Sequence, residues 1–419
     1  MTVSLFQPEE LPHPVRYDLL FDRLPHLKEE RAGTGRPPFS SDTLLKGLIY
    51  KAIRGIRCLS ELAFELHNNS TIRPVLGLSL YKSAPSVERF SRFLRSTDNQ
   101  RLQSVRKKLL LELIQAKVIK GKSVSLDSCP VPAQVKQNNL KTSLKNRFDK
   151  TQIVPGDPQA RLGVIIHFHN PFQKKVAYFW GYRNHIVSDN ASELPLGEIT
   201  QPANVSEINL AVELLKEVSS LKLSPETVTA DAHYDAENIL KFIFEQMRAI
   251  PIIPRNPGSA QGENYAIIKG KIHCLAGLEM YRKGKMYVKK AGISYCQYCC
   301  PINYGKRQIE HLFCPILNEK FIKGKGCNVL FRLSPSVRDK IPYSTEYFKE
   351  EYSKRTSVER IFSRLLAIAM QKPTVLGLKA VSNHATIAHI TVLLVALVAY
   401  HSGNEDKIRF VKSFVPNFL

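Results

Sequence analysis

KSVSLD at residues 122–127 and ETVTAD at residues 226–231 decide how this chain is read. Each is a short run rich in β-branched and apolar residues, the composition of a strand, and each closes on an aspartate, Asp127 or Asp231. Open sheets bind ligands beyond the carboxyl ends of their strands, so both acids stand where chemistry is expected. An aspartate after a strand also serves simply to start a turn or cap a helix, and neither residue decides the matter alone. A third stretch, YSKRTSVERIFSRLL at 352–366, reads as a helix with Tyr352, Arg355 and Glu359, spaced i, i+3 and i+7, on one face. Val358, Ile361, Phe362 and Leu365 form the adjacent apolar stripe that docks this helix on the sheet. An arginine one turn before a carboxylate keeps the acid ionised and reaches toward a phosphate. The competing reading is an ordinary amphipathic helix with an exposed ion pair. Three hard-oxygen ligands on separate elements favour magnesium or manganese, and two such ions clamp the attacking and leaving oxygens of a phosphodiester.

Charge points to the same substrate. Among 419 residues, 60 Lys and Arg face 37 Asp and Glu, a net charge of +23, which attracts polyanions. Nucleic acid is the expected partner, ahead of an anionic membrane or a merely solvated basic surface. The length suits two or three domains, and a hydrophobic fraction of 43% is that of a folded globular protein. The opening MTVSLFQPEELPHP lacks the pattern of a signal peptide. ITVLLVALVAY, from Ile390 to Tyr400, is too short to span a bilayer and is expected to be a buried helix. With no membrane partner expected, the anticipated location is cytoplasmic, at the bacterial nucleoid.

The periodicity divides the chain into four parts. Residues 1–119 read as helices, among them TLLKGLIYKAI with Leu44, Leu45, Leu48, Ile49 and Ala52 on one face, and VERFSRFLRS with Phe90, Phe93 and Leu94. Short basic helices of this kind enter a DNA groove, although a helical dimerisation domain has the same pattern. Residues 120–254 carry strand-like runs, RLGVIIHFH and KVAYFWGYRNHIVSD, followed by a helix, a strand, a helix and a final strand at IPII. This order predicts an α/β fold with a mixed sheet covered by helices. Residues 255–339 form a basic, tyrosine-rich, mostly β insertion, and helix resumes in 340–419 with Glu359 and the closing segments.

Six of the eight cysteines fall in the insertion. Cys296 and Cys299 have the two-residue gap of half a zinc knuckle, and Cys314 and Cys327 are the candidates to complete a structural zinc site, with His273 and His311 as alternatives. The competing reading is reduced cysteines packed in a small β domain.

Taken together, these stretches resemble the DDE transposases of bacterial insertion sequences. The family signature is Tyr, two residues, Arg, three residues, Glu, six residues, Lys, and the stretch from Tyr352 matches it through Arg355 and Glu359, with Leu366 at the lysine position. GRPPFSSDTLLKGLIYKAIRGIRCLSELAFEL with PSVERFSRFLR is similar to the family's N-terminal domain. GYRNHIVSD, QPANVSE and TADAHYDAENI resemble its later blocks, in the expected order. The resemblance implies a ribonuclease-H-like core, with Asp127, Asp231 and Glu359 as catalytic acids holding two Mg2+ or Mn2+ ions. It also implies that Tyr352 and Arg355 position DNA phosphates, and that the insertion contacts DNA. The implied activity cuts the ends of the element and joins them to target DNA, commonly as a homodimer. A related nuclease without strand transfer, or an inactive transposase-derived DNA-binding protein, is the alternative.

Overall fold

Because helix-period and strand-period segments alternate along the chain, apolar stripes of both kinds must meet in layers. The computed structural model describes residues 17–28, 39–170, 173–256, 265–288, 293–304, 307–308, 313–319, 326–333, 335–343 and 345–411. Residues 1–253 with 345–419 make one compact unit, and 254–344 make a second.

The first unit opens with six helices: α1 (Tyr17–Asp22), α2 (Ser41–Arg54), α3 (Leu59–Asn68), α4 (Ile72–Val75), α5 (Val87–Ser96) and α6 (Asn99–Gln115). Ser40 caps α2 by accepting the Thr43 N–H at 3.0 Å, and Gly55 closes it in the left-handed region at φ 67°. The anticipated face of α2 is the buried one at Leu44, Leu45, Leu48 and Ile49. Helix α3 begins at Leu59 after Cys58, so Ser60 lies within its first turn.

The sheet follows: β1 (Ser123–Pro132), β2 (Arg161–Asn170), β3 (Gln173–Asp189), β4 (Leu194–Pro202), helix α7 (Glu207–Ser220), β5 (Thr227–Thr229), helix α8 (Glu237–Lys241) and β6 (Ile250–Ile252). Its order is β2-β3-β1-β5-β6, with β4 also paired to β3. Strands β2, β4 and β1 run antiparallel to β3, whereas β1, β5 and β6 are parallel. The sheet is therefore mixed, as the sequence predicts. Strand β4 is an addition to that reading. Its sequence, LPLGEITQP, carries two prolines and a glycine, residues tolerated on an edge strand but depleted elsewhere in sheets.

Alternation along β3 sorts the two faces. Asn184 accepts from His389 at 2.9 Å on one face, and Arg183 reaches Glu207 of α7 on the other. His389 belongs to the closing helices, α9 (Glu346–Ser353), α10 (Thr356–Ala367) and α11 (Leu378–His401). Helix α11 contains ITVLLVALVAY. Its 24 residues are long and apolar enough to cross a membrane, but 89% of its most apolar window is buried inside the protein. It packs against α2, α5, α6 and β4. A helix apolar all round is a core helix, and here it joins the N-terminal helices to the sheet.

The N-terminus of α11 is closed from a distance. Gly377 takes φ 88° and donates its N–H to the Asp157 carboxylate at 3.1 Å, while Leu378 donates to Gln159 at 2.8 Å. Asp157 is itself buried and accepts from Tyr182 Oη at 2.8 Å. Another buried charge, Arg106 on α6, pairs with Glu217 of α7 and donates to the Leu196 carbonyl at 2.9 Å. A buried cation requires such a full set of partners.

The second unit contains β7 (Tyr265–Ile268) paired with β8 (Lys271–Cys274), the sheet β13 (Asn328–Arg332), β10 (Ile293–Cys299), β9 (Tyr281–Val288), and the short pair β11 (Asn303–Tyr304) and β12 (Arg307–Gln308). Its small core gathers Ile272, Cys274, Met280 and Val329, with Cys327 packed against it.

Candidate active site

Asp127 lies in the middle of β1 rather than at its end, because the antiparallel ladder with β3 continues through Pro132↔Gly181. On the other side of β1 the parallel partner is short, and the ladder with β5 stops at Ser125↔Thr229. Beyond that point the chain turns into a single 3-10 turn, Ala232–Tyr234, and the sheet has a notch beside Asp127. Side chains two residues apart along a strand share a face. Ser125 and Thr229 meet through their hydroxyls at 2.5 Å, each two residues before one of the acids, and Asp231 is near enough to Asp127 for its charge to raise the Asp127 carboxyl. Asp231 caps the 3-10 turn, accepting the His233 N–H at 2.8 Å, with the His233 ring Nδ1 at 3.2 Å.

Helix α10 packs over the same face. Ser357 donates to Asn190 at 2.8 Å, and Asn190 also receives the Ser125 hydroxyl at 2.5 Å. Val358, Ile361 and Leu365 are fully buried beneath it. The single helix expected across 352–366 is broken. Tyr352 lies in the last turn of one helix, α9, and Glu359 stands in the first turn of the next, with Lys354 and Arg355 in a tight turn between them. Backbone bonds at the turn span three residues, Arg355 to Tyr352 at 3.0 Å, Ser357 to Lys354 at 3.0 Å and Val358 to Arg355 at 3.1 Å. The cause is local: the hydroxyls of Ser353 and Thr356 bond back to the carbonyls of Glu350 and Ser353, at 2.7 and 3.0 Å, in competition with the helix ladder.

The break aims Arg355 into the notch. Its guanidinium donates to Asp127 Oδ2 at 2.9 Å and to Glu359 Oε1 at 3.2 Å, spanning two of the three acids. The Tyr352 ring lies 5.9 Å from the guanidinium carbon and stacks on Phe348. The side chain of Asp127 is 17% exposed, that of Asp231 30% and that of Glu359 58%, so the site grades from interior to surface. Burial pushes the Asp127 carboxyl up to about 7, against the pull of Arg355 and of the Ser128 N–H at 2.8 Å, with Asp231 and Glu207 adding to the rise. Burial works against the Arg355 cation, yet Asp127, Tyr352, Glu359 and Asp231 more than offset it and leave its pKa raised.

Four further residues complete the surroundings. Ser128, next to Asp127, points to the opposite face and donates to Glu207 at 2.5 Å, and Arg183 donates to the Ser128 hydroxyl at 3.0 Å. Tyr234 is buried among Glu207, Asp127 and Asp231, and its hydroxyl is without a hydrogen-bond partner among the described residues. QPANVSE ends on Glu207 and TADAHYDAENI contains Tyr234, but nothing in either stretch alone marks these two residues.

The cysteines of the insertion have partners within it. Cys296 accepts from Arg282 Nε at 3.1 Å, Cys299 donates to Asn328 Oδ1 at 2.9 Å, and Cys327 packs against the apolar core of the insertion. Among the described residues no three His, Cys, Asp or Glu are gathered closely enough to hold a metal, and Cys296, Cys299, Cys314 and Cys327 are free thiols. His311 lies outside the described residues. The same observation applies to the three acids. In this conformation the group that joins Asp127 to Glu359 is the guanidinium of Arg355.

Two family models match the chain. Residues 163–394 match the family described as the transposase DDE domain, and residues 13–96 match a second family described as a transposase domain. The first match includes Asp231, Arg355 and Glu359 and begins after Asp127. No curated protein sequence matches the chain. Among solved structures, a piggyBac transposase synaptic complex with hairpin DNA, determined by cryo-EM, is similar at 12% identity and a TM-score of 0.38. That likeness covers 96% of this chain and 76% of the other.

Proposed function

Because this chain belongs to the transposase DDE domain family, we propose that it cuts DNA at the ends of a mobile element and joins them to target DNA, with Asp127, Asp231 and Glu359 holding two divalent ions. The strand order β4-β3-β1-β5-β6, antiparallel and then parallel, supports a ribonuclease-H-like core. The observation that carries the reading is the family match over residues 163–394, which takes in Asp231, Arg355 and Glu359. A cation already stands between Asp127 and Glu359, and Asp231 is near enough to act on the Asp127 carboxyl. The donor set is all oxygen, which suits Mg2+ or Mn2+. Bound there, such ions would lower the pKa of the attacking hydroxyl and neutralise the charge that develops on the phosphate.

The chain's own residues would do the rest. Arg355 makes one contact to each acid, so an entering phosphate would compete for its fork and draw it off the carboxylates. Tyr352 stacks beside that fork and limits where it can swing. The N–H of His233 fixes Asp231 in one rotamer, and Ser128 pairs with Glu207 behind β1, which anchors the backbone carrying Asp127. Joining two ends requires two such sites, so the reading carries with it a homodimer on DNA, working at the nucleoid.

A second reading has specific support: a transposase-derived protein that binds DNA without cutting it. Arg355 occupies two of the three acids, and Leu366, 47% exposed, replaces the signature lysine. The experiment is a cleavage and strand-transfer assay on a plasmid carrying the DNA that flanks the gene on both sides, with Mg2+ or Mn2+. Cleavage by the wild type, lost in Asp231→Asn with DNA binding kept, supports the first reading. Binding without cleavage supports the second.

A further inference from the structure

A second charged cluster lies on the far side of α10 from Arg355. Its centre is Glu193, at the turn between β3 and β4, buried at 4% exposure and held at φ 56° with its N–H on the Asp189 carbonyl at 2.9 Å. Three arginines converge on this one carboxylate. Arg360 donates from Nε at 2.7 Å, Arg364 pairs with the other oxygen and also donates to the Glu193 carbonyl at 2.7 Å, and Arg409 approaches within 3.5 Å. Arg409 is held a second time by the Ala191 carbonyl at 2.5 Å, and Arg360 by the Thr356 hydroxyl at 3.2 Å.

One carboxylate balances one guanidinium, so two positive charges remain among these groups. They are not evenly buried. Arg364 is 14% exposed and acts as the inner clamp, whereas Arg360 and Arg409 are 54% and 43% exposed. Each outer arginine spends only part of its five-donor fork on the protein, and the remaining donors lie in a fixed plane at the surface. A guanidinium fixed in this way loses less freedom on meeting an anion than a mobile lysine does. The cluster is also continuous with the candidate active site, because Thr356, Glu359, Arg360 and Ser363 form the exposed stripe of α10.

We propose that Arg360 and Arg409, oriented by Glu193, form a phosphate-binding edge for the DNA strand that passes Glu359. The inference rests on the reading of DNA as the substrate and adds a positioning subsite outside the acid triad. A cation here holds backbone phosphates without regard to sequence and sets how the strand lies across α10.

The test is binding of a mixed-sequence DNA duplex, followed by anisotropy over a salt series without divalent metal. Arg360→Gln/Arg409→Gln should flatten the slope of log affinity against log salt by about 1.8, since each phosphate contact contributes roughly 0.9. Arg360→Lys/Arg409→Lys should keep most of that slope, and thermal unfolding shows whether each variant is folded. If the Gln pair unfolds, Arg409→Gln alone decides, with an expected change of about 0.9. A folded Gln variant with the wild-type slope overturns the phosphate edge and leaves a structural clamp, while the DNA reading stands. A wild-type protein that fails to bind the duplex overturns both.

Discussion

Arg355→Ala should tighten the binding of Mn2+ to the DNA-free protein. The guanidinium makes one half-buried, charge-assisted contact to Asp127 at 2.9 Å, of a kind worth about 1.5–3 kcal/mol. Its contact to Glu359 at 3.2 Å is an i,i+4 pair to a largely exposed acid, worth about 0.3–0.5 kcal/mol after solvent screening. An ion that takes both carboxylates must first break both contacts. Their sum, about 2–3.5 kcal/mol, corresponds to a gain in affinity of roughly 30- to 300-fold when the arginine is gone. The comparison should be made well above the value near 7 at which burial holds the Asp127 carboxyl, because removing Arg355 raises that value further and protons would then compete with the metal. Isothermal titration of Mn2+ into both proteins at alkaline pH reads the difference directly. Equal or weaker binding by the variant would refute the idea that Arg355 stands where an ion belongs, and would make it a support for the ligands instead.

Arg355→Lys should keep the fold and bulk DNA affinity but cut at about a tenth to a hundredth of the wild-type rate, since a lysine cannot reproduce the two-pronged contact; single-turnover cleavage measures this. Arg106→Ala should lower stability by about 3–5 kcal/mol in urea unfolding, because Glu217 and the Leu196 carbonyl lose a buried partner, and the double change Arg106→Met/Glu217→Leu should recover most of the loss. His389, held at about 4 by burial, has its Nδ1 without a hydrogen-bond partner among the described residues and its Nε2 on Asn184. A histidine with a depressed folded pKa stabilises fully above its unfolded value of 6.5, and that contribution is lost as pH falls from 6.5 toward 4. His389→Gln should therefore lose less stability on acidification than the wild type, by at most about 1.4 kcal/mol per pH step, in urea midpoints measured across that window. Asp127 and Glu217, both raised by burial, oppose this trend but cancel in the comparison.

The strands and the buried helix were legible because their signals are local. Val124, Leu126 and Val228 are fully buried at the period-2 positions that the sequence marks, and the apolar run from Ile390 lies in α11. Strand β4 was not legible, since Pro195, Gly197 and Pro202 read as loop and only pairing with β3 makes them strand. The break at Lys354–Arg355 was hidden for a different reason. Its causes are hydroxyl back-bonds from Ser353 and Thr356, and spacing arguments treat such residues as neutral helix positions. The apolar run stops at Asp127 and so marks a strand end there, while the ladder with β3 carries on through polar and proline residues. The Glu193 cluster left no trace in local pattern, because its four members come from a turn, a helix and the segment after α11.

Helix α11 has a consequence for how the chain is made. It leaves the ribosome long after α2, α5 and α6, yet these helices pack against it. Until residue 401 has emerged, α5 and α6 lack the helix against which they pack in the finished protein. The loop bearing Asp157 and Gln159 likewise waits, its acceptors open, for the N–H groups of Gly377 and Leu378 more than 200 residues later. Nascent chains halted inside the second unit would therefore be sticky intermediates that engage chaperones, and acquisition of a protease-resistant N-terminal region should coincide with release of α11 rather than with completion of α6.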